Sequence, residues 1–514
     1  MKKIAGFARA WYNEQSRLGH MNTEQAERRA NDLANASSGG DLIEMSSNPM
    51  MLTSIAIIHQ KDIGLPRERV RLYQLIVDVL ISRWQKHKTG EESFAPSQAL
   101  TAFLKDDNRL RAALEILAYE AHRANYTAGN TNGDADLSRG HALTLLESSD
   151  YLGSAELASE FLDYVDQRSG LLVGKGGELE KPTSYSFPHR TIQEYLAGCY
   201  LVGKRNRGRE FFKHAAEGDF WSLPALMGAE ELFYNHKSTR DTLLDLTYHL
   251  CPETQPQTEQ AERALLWSGQ FACLFGNEGI ESDTDNPSGG KEFLKRLIPR
   301  TVNLLENFHL TPRERAEAGN TLAKLGDPRV GIALSIVEGQ PDGLNLLLCE
   351  IPAGKFLMGS KEKEEGAYED EYPQFEYNIP NNYFMSRYPI TNAQFDLFVK
   401  DPQGYVNDAW WTKTGLEWRG DRKEHARYSG AFALLNHPVV GVTWYEAAAF
   451  CKWATDQMRK SDGGMQIYDS STHSIREAKS LKSEIQNLKS KIRLPTEAEW
   501  ERAARRKRSA LSVG

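Results

Sequence analysis

Apolar residues recur at helical spacing through about the first two thirds of this chain, and near residue 346 that spacing gives way to aromatic-rich strings and short β-like runs. With that change in composition and period, the sequence reads as several folding units. A length of 514 residues sets about three domains as the starting expectation. Lys and Arg number 62 against 70 Asp and Glu, a net charge of −8, which gives no support to a generic binder of nucleic acid or anionic membrane. The five cysteines (Cys199, Cys251, Cys273, Cys349 and Cys451) are far apart and form no CxxC pair, which argues against a disulfide scaffold or a cysteine zinc site. Arg9 interrupts the only early apolar run, so no signal peptide is expected, and no stretch reaches the ~18 apolar residues of a membrane span. A soluble, cytoplasmic protein is the expectation.

Residues 1–90 read as helices. Leu72, Tyr73, Ile76, Val77, Leu80, Ile81 and Trp84 fall in two adjacent rows on one helical face, with Pro66 placed in the first turn. Upstream, Asn48-Pro49 precedes a second apolar helix bearing Met51, Leu52, Ile55 and Ile58. In residues 91–205, Leu110–His122 and Leu157–Gln167 have helical spacing, and Ser169-Gly170 stops the second of them. Leu171–Val173 and Ser184–Phe187 then read as a two-stranded wing around the loop GKGGELEKP, followed by the helix of FPHRTIQEYLAGCYL.

The strings NPMMLTSIAIIHQ and LPRERVRLYQLIVDVLISRW, with the FPHRTIQEYLAG stretch behind a wing, resemble the helical and winged-helix segments that follow the nucleotide-binding core of NACHT proteins. These are signalling NTPases of the STAND class. The resemblance implies that Pro49 packs on the adenine of bound nucleotide and that His189 reaches the β-phosphate of ADP. The residues alone leave plainer readings open: a proline suits a helix start, and a histidine suits a helix cap. Ser138–Ser149, the second helix of the winged helix, carries no basic stripe, so DNA binding is the weaker alternative. No GxxxxGK[ST] loop or Walker B strand occurs in the sequence. ATP or ADP would therefore bind together with a separate NTPase core, which becomes the expected partner.

Residues 206–345 read as a helical linker. Thr311-Pro312-Arg313-Glu314 is a capping box with proline at the first helical position. RAEAGNTLAKLGDPR resembles connectors of bacterial NACHT proteins and of helical-repeat proteins. Glu278–Lys291 reads as an exposed loop without EF-hand spacing, so no metal is expected there.

In residues 346–514, capping boxes at Thr391, Thr443 and Thr496 mark helices, Lys355–Met358 and Pro438–Val442 suit strands, and Thr472–Lys491 reads as an amphipathic helix. EIPAGKFLMGS, FMSRYPITNAQFDLFV, HPVVGVTWYEAAAFCKWA and RLPTEAEWERAARR occur in the order of the formylglycine-generating enzyme (sulfatase-modifying factor) family. That resemblance implies an irregular α+β, C-type-lectin-like domain, here incomplete at its C-terminus. Active members use copper and a cysteine pair to oxidise a substrate cysteine, others use non-haem iron, and some are binding heads. The family's reactive cysteines lie beyond RLPTEAEWE, so no catalytic residue carries over; copper or iron would come only with that further half. Cys451 sits on the apolar face of its helix and reads as core. His425, His437 and His473 are scattered and form no metal site. ARRKRSALSVG reads as an exposed helix end.

The expected architecture is multidomain: a NACHT-type helical segment over 1–90, a winged-helix-like domain over 91–205, a helical linker over 206–345, and the formylglycine-generating-enzyme-like domain over 346–514. The expected function is that of a piece of a signalling or sensor protein with an unidentified protein or small-molecule ligand at its C-terminal domain. The alternatives are a sulfatase-modifying oxidase or related iron enzyme lacking its catalytic half, and a non-functional remnant. Membrane and nucleic acid are not expected partners, and oligomerisation belongs to the full-length protein.

Overall fold

A computed structural model describes residues 2–37, 42–60, 65–66, 68–85, 96–129, 136–168, 172–177, 181–284, 289–337, 340–460, 465–469, 472–478, 481, 483 and 491–505. The chain divides into two compact units, residues 1–318 and 319–514. Helices of seven or more residues are numbered here in chain order.

The first unit opens with α1 (Lys2–Arg17), α2 (Thr23–Ala36), α3 (Pro49–Gln60) and α4 (Arg69–Gln85). Asn48 starts α3 by accepting from the backbone N–H of Met50 at 2.9 Å and of Met51 at 3.2 Å, and Pro49 takes the first helical position. Pro66 lies outside α4, which begins at Arg69: a proline tolerates a helix start without imposing one. The expected apolar face is present, with Leu72, Tyr73, Ile76 and Val77 buried.

Next come α5 (Gln98–Leu104) and α6 (Asp107–Thr127), the latter capped by Asp106 and longer than its apolar spacing suggested. The winged region follows as β1 (Asp136–Ser138), α7 (Arg139–Leu146), α8 (Ala155–Arg168), β2 (Val173–Lys175), β3 (Ser184–Ser186) and α9 (Arg190–Gly203). Its sheet has three strands in the order β1-β3-β2, all antiparallel, where two were expected. β1 is three residues long, too short for any alternation to announce it. The proposed helix stop at Ser169-Gly170 lies outside the described residues, as does Leu171.

Beyond α9 come helices α10 (Arg207–His214), α11 (Ser222–Glu230), α12 (Arg240–His249), α13 (Glu259–Glu281), α14 (Gly290–Glu306) and α15 (Pro312–Leu325); α10 to α13 contribute to a second core that includes Phe211, Trp221, Trp267 and Phe271. α13 continues to Glu281, so the loop expected from Glu278 starts later. Glycines allow α9 and α11 to touch: a Cβ on Gly198 would lie 2.3 Å from the Pro224 carbonyl oxygen, and one on Gly228 2.6 Å from the Gly198 carbonyl oxygen. Arg263, almost fully buried, donates through Nε to Glu314, through Nη1 to the Ala215 carbonyl at 2.6 Å, and through Nη2 to Glu259 at 2.5 Å. Glu314 also closes the expected capping box with Thr311.

In the second unit, β6 (Leu346–Ile351) is central to a four-stranded sheet of order β11-β10-β6-β9, with β10 (Met465–Asp469) parallel to β6 and the other pairs antiparallel. β9 is Tyr383–Ser386 and β11 is Ser474–Glu477. Two hairpins stand apart, β4 (Ser335–Val337) with β5 (Gln340–Gly343), and β7 (Gly354–Met358) with β8 (Phe375–Ile379). α16 (Asn392–Lys400), α17 (Lys413–Arg419), α18 (Trp444–Lys460) and α19 (Glu497–Arg505) complete the unit, and Phe395, Phe398, Tyr405, Phe450 and Trp453 form its aromatic core.

All three capping boxes form here. Two expectations do not hold. Pro438–Val442 is not a strand: Pro438 makes a single bridge to Thr391, and Gly441 turns the chain at φ 74°. Ser474–Glu477 is strand rather than helix, because backbone pairing with β10 outcompetes the local helical pattern. Ile485 and Leu488 of that proposed helix, and the tail from residue 506, lie outside the described residues.

The Glu314→Ala variant leaves the buried Arg263 guanidinium with Glu259 as its remaining carboxylate. It should lower the unfolding free energy by about 3 kcal/mol in urea denaturation. A loss of a few tenths would show that the pair is not needed.

Candidate functional site

His189 caps α9. Its Nδ1 accepts from the Thr191 backbone N–H at 3.2 Å and lies 2.6 Å from the Thr191 hydroxyl. With Nδ1 occupied as an acceptor, the neutral ring carries its proton on Nε2, the donor form suited to an anionic oxygen. The side chain is half-buried, while Pro49 is exposed at the start of α3. The far end of α3 is held where His59 joins Tyr12 at 2.5 Å through Nδ1 and Asp32 at 3.2 Å through Nε2. α3 packs on α4, and α4 meets α9 where Tyr73 stacks on Tyr195 at 5.5 Å. Both residues singled out from the sequence therefore stand at the first turns of helices in one core.

Sequence reasoning missed the polar centre of that core. Arg111 of α6 donates to the Tyr195 hydroxyl at 2.8 Å and to Glu115 at 2.9 Å, and lies 3.6 Å from Glu231 and 3.9 Å from Asp78. Burial opposes its charge, but Tyr195, Cys199 and the two glutamates hold the guanidinium above its ordinary pKa. Burial, with Asp107 and Glu231, pushes the Asp78 carboxyl up against the pull of Arg111. Gln74, Asp78, Asp107, Asn108, Arg111 and His236 line a cavity of about 400 Å³ above this network.

A second missed feature is a pair of buried histidines packed against one indole. His214 lies 3.9 Å from Trp221, ring centre to ring centre, and His122 lies 4.5 Å away at an edge-on angle. His122 Nε2 meets the Phe220 carbonyl at 3.2 Å, and His214 Nε2 meets the Tyr119 hydroxyl at 3.0 Å. Burial, chiefly, lowers His122 to about 3, so that ring is neutral at pH 7, and it lowers His214 as well, against the pull of Glu217 at 3.2 Å.

In the second unit, Cys451 is buried on α18 and burial pushes its thiol up to about 11, the state of a packing residue rather than of a nucleophile. Cys349 lies on β6. The RLPTEAEWE string forms a clamp: Arg493 meets Glu499 through both guanidinium nitrogens at 2.5 and 2.7 Å, and Thr496 completes the cap. These hydrogen bonds hold the Glu499 carboxyl at about 2. His425 is buried, and the His437 carbonyl accepts from the Asn392 backbone N–H at 2.9 Å. No helix among the described residues is long and apolar enough to cross a membrane.

The fold and these sites define a winged-helix unit joined to an α+β unit, and the comparison with known families gives each its class. Residues 69–201 match the winged helix-turn-helix domain C-terminal to NACHT. Residues 342–512 match the sulfatase-modifying factor enzyme 1-like domain. The chain thus fuses a NACHT-associated winged helix to a domain of the formylglycine-generating enzyme type.

More particularly, it is 28% identical to the formylglycine-generating enzyme of Streptomyces coelicolor over 184 residues, covering 30% of this chain and 46% of that enzyme. It is 28% identical to hercynine oxygenase of Mycolicibacterium thermoresistibile over 144 residues, 25% of this chain and 31% of that protein. It is also 32% identical to serine/threonine-protein kinase pkn1 of Chlamydia caviae over 120 residues, 23% of this chain and 18% of that one. The chain spans less than half the length of each of these relatives.

The buried His122 makes stability pH-dependent. Because His122 binds its proton more weakly folded than unfolded, its contribution is complete above pH ~6.5 and is lost as pH falls toward its folded value. Replacing His122 with Asn should flatten the acid limb of urea stability by about 1.4 kcal/mol per pH unit between pH ~6 and ~4. An unchanged slope would remove His122 as its source.

Proposed function

We propose that this chain is the switch-and-sensor part of a NACHT-type signalling protein, in which the formylglycine-generating-enzyme-like domain binds a ligand rather than oxidising a thiol. The observation that carries the reading is the pairing in one chain of a NACHT-associated winged helix with a domain whose Cys451 is sequestered in its core. A C-type-lectin-like fold for that domain is part of the proposal. Together with an NTPase core, the exposed ring of Pro49 would pack on adenine, and His189 would donate Nε2–H to the β-phosphate of ADP and hold a closed state. Ligand at the C-terminal domain would favour exchange, provided that it binds the open state more tightly than the closed one. Arg139, the main cation on α7, is directed inward to Asp163 at 2.7 Å and Ser159 at 2.9 Å, which supports a protein-switch rather than a DNA-reading role for the winged helix.

The oxidase reading has one observation in its favour, the likeness to named formylglycine-generating enzymes. It requires reactive cysteines outside the matched strings.

In a protein joining this chain to a P-loop core, His189→Ala should reduce the ADP retained through purification about tenfold, as measured by chromatography of the released nucleotide. Undiminished ADP would overturn the assignment of His189. The chain alone should release no phosphate from ATP.

A further inference from the structure

We infer that the cavity between α4 and α6 in the first unit is a binding site for one guanidinium group. Its volume of about 400 Å³ falls inside the ~300–1,000 Å³ of ordinary ligand pockets and far exceeds the ~30 Å³ of a single water. Gln74, Asp78 and Ile81 of α4 form one wall, and Asp107, Asn108 and Arg111 of α6 another. The Asp78 side chain is 53% exposed, so the cavity is open to a ligand from solvent.

Charge selects the class of occupant. Among the described residues that line the cavity or face Arg111, the carboxylates of Asp78, Asp107, Glu115 and Glu231 stand against the Arg111 guanidinium. That guanidinium is already engaged, since it donates to Tyr195 at 2.8 Å and to Glu115 at 2.9 Å. His236, also on the wall, faces Glu231 at 3.4 Å. The crowding of negative charge reaches the cavity itself: burial raises the Asp78 carboxyl, and Asp107 and Glu231 add to the rise against the pull of Arg111. A cation beside Asp78 and Asp107 relieves that crowding, whereas an anion adds to it.

The acceptors on the wall select the kind of cation. Carboxylate oxygens from two helices and the side-chain amide oxygens of Gln74 and Asn108 outnumber the donors of an ammonium group, while a planar guanidinium presents a fork of N–H donors along its edges and is more weakly hydrated. Ile81 supplies an apolar contact for the alkyl stem behind it. A metal ion suits the wall less well, because no group of three or more His, Cys, Asp or Glu side chains among the described residues is arranged to hold one. Either an arginyl side chain of a polypeptide or a free alkylguanidine supplies this chemistry.

The test is amide NMR of the full chain during separate titrations with N-acetylarginine methylamide and propylguanidine, with N-acetylcitrulline methylamide as the uncharged control. The backbone amides of Gln74, Asp78 and Asn108 should shift and saturate with the guanidinium probes and stay in place with the control. Asn108 is exposed, so substitutions there spare the core. Asn108→Asp adds a carboxylate in the first turn of α6, where negative charge is favourable, and should tighten binding about tenfold; Asn108→Lys should weaken it about tenfold. A response to the arginyl probe alone assigns a polypeptide source, one to propylguanidine alone a free small molecule, and one to both admits either into the same site. No saturable shift with either probe, equal shifts with the citrulline control, or one affinity shared by wild type and both Asn108 variants would overturn the site. Neither nucleotide nor the second unit enters these titrations, so their outcome is separate from that of the switch reading.

Discussion

The guanidinium of Arg111 is the point on which the first unit converges. It is tied directly to Tyr195 on α9 and Glu115 on its own helix, and faces Asp78 on α4 and Glu231 beyond α11. Tyr195 in turn donates to Glu231 at 2.8 Å, so helices far apart in sequence share one charge network. A half-buried arginine shared among several helices in this way favours a single arrangement of those helices around it. The position of His189, at the first turn of α9, is set by the same helix that Arg111 holds through Tyr195.

What could be read from the sequence was local chemistry. Asn48 before Pro49 and the threonines at 311, 391, 443 and 496 each satisfy a backbone group three residues away or nearer, and each formed as its spacing implied. The wing and the helix after it were legible for the same reason, since turn residues flanked short apolar runs. Arg111 could not be recognised: its partner Tyr195 is 84 positions away, and in sequence it is one more arginine on an amphipathic helix. His122 likewise reads as a surface residue until Phe220 and Trp221 close over it.

In the second unit the errors share one cause. Thr472–Lys491 has helical spacing, but Ser474–Glu477 gains more from pairing with β10, a choice made by tertiary contact rather than by propensity. A small cavity beside His425 draws its walls from residues 392, 425–428, 432, 433 and 440, and no linear pattern joins them.

The clamp of Arg493, Thr496 and Glu499 settles the beginning of α19 entirely within seven consecutive residues. Nothing upstream is needed to tell the helix where to start. The link between β11 and the motif can therefore differ without moving the start of α19, whereas β10 is fixed by its pairing with β6. A domain organised in this way can vary one connection while the helix after it keeps its starting point.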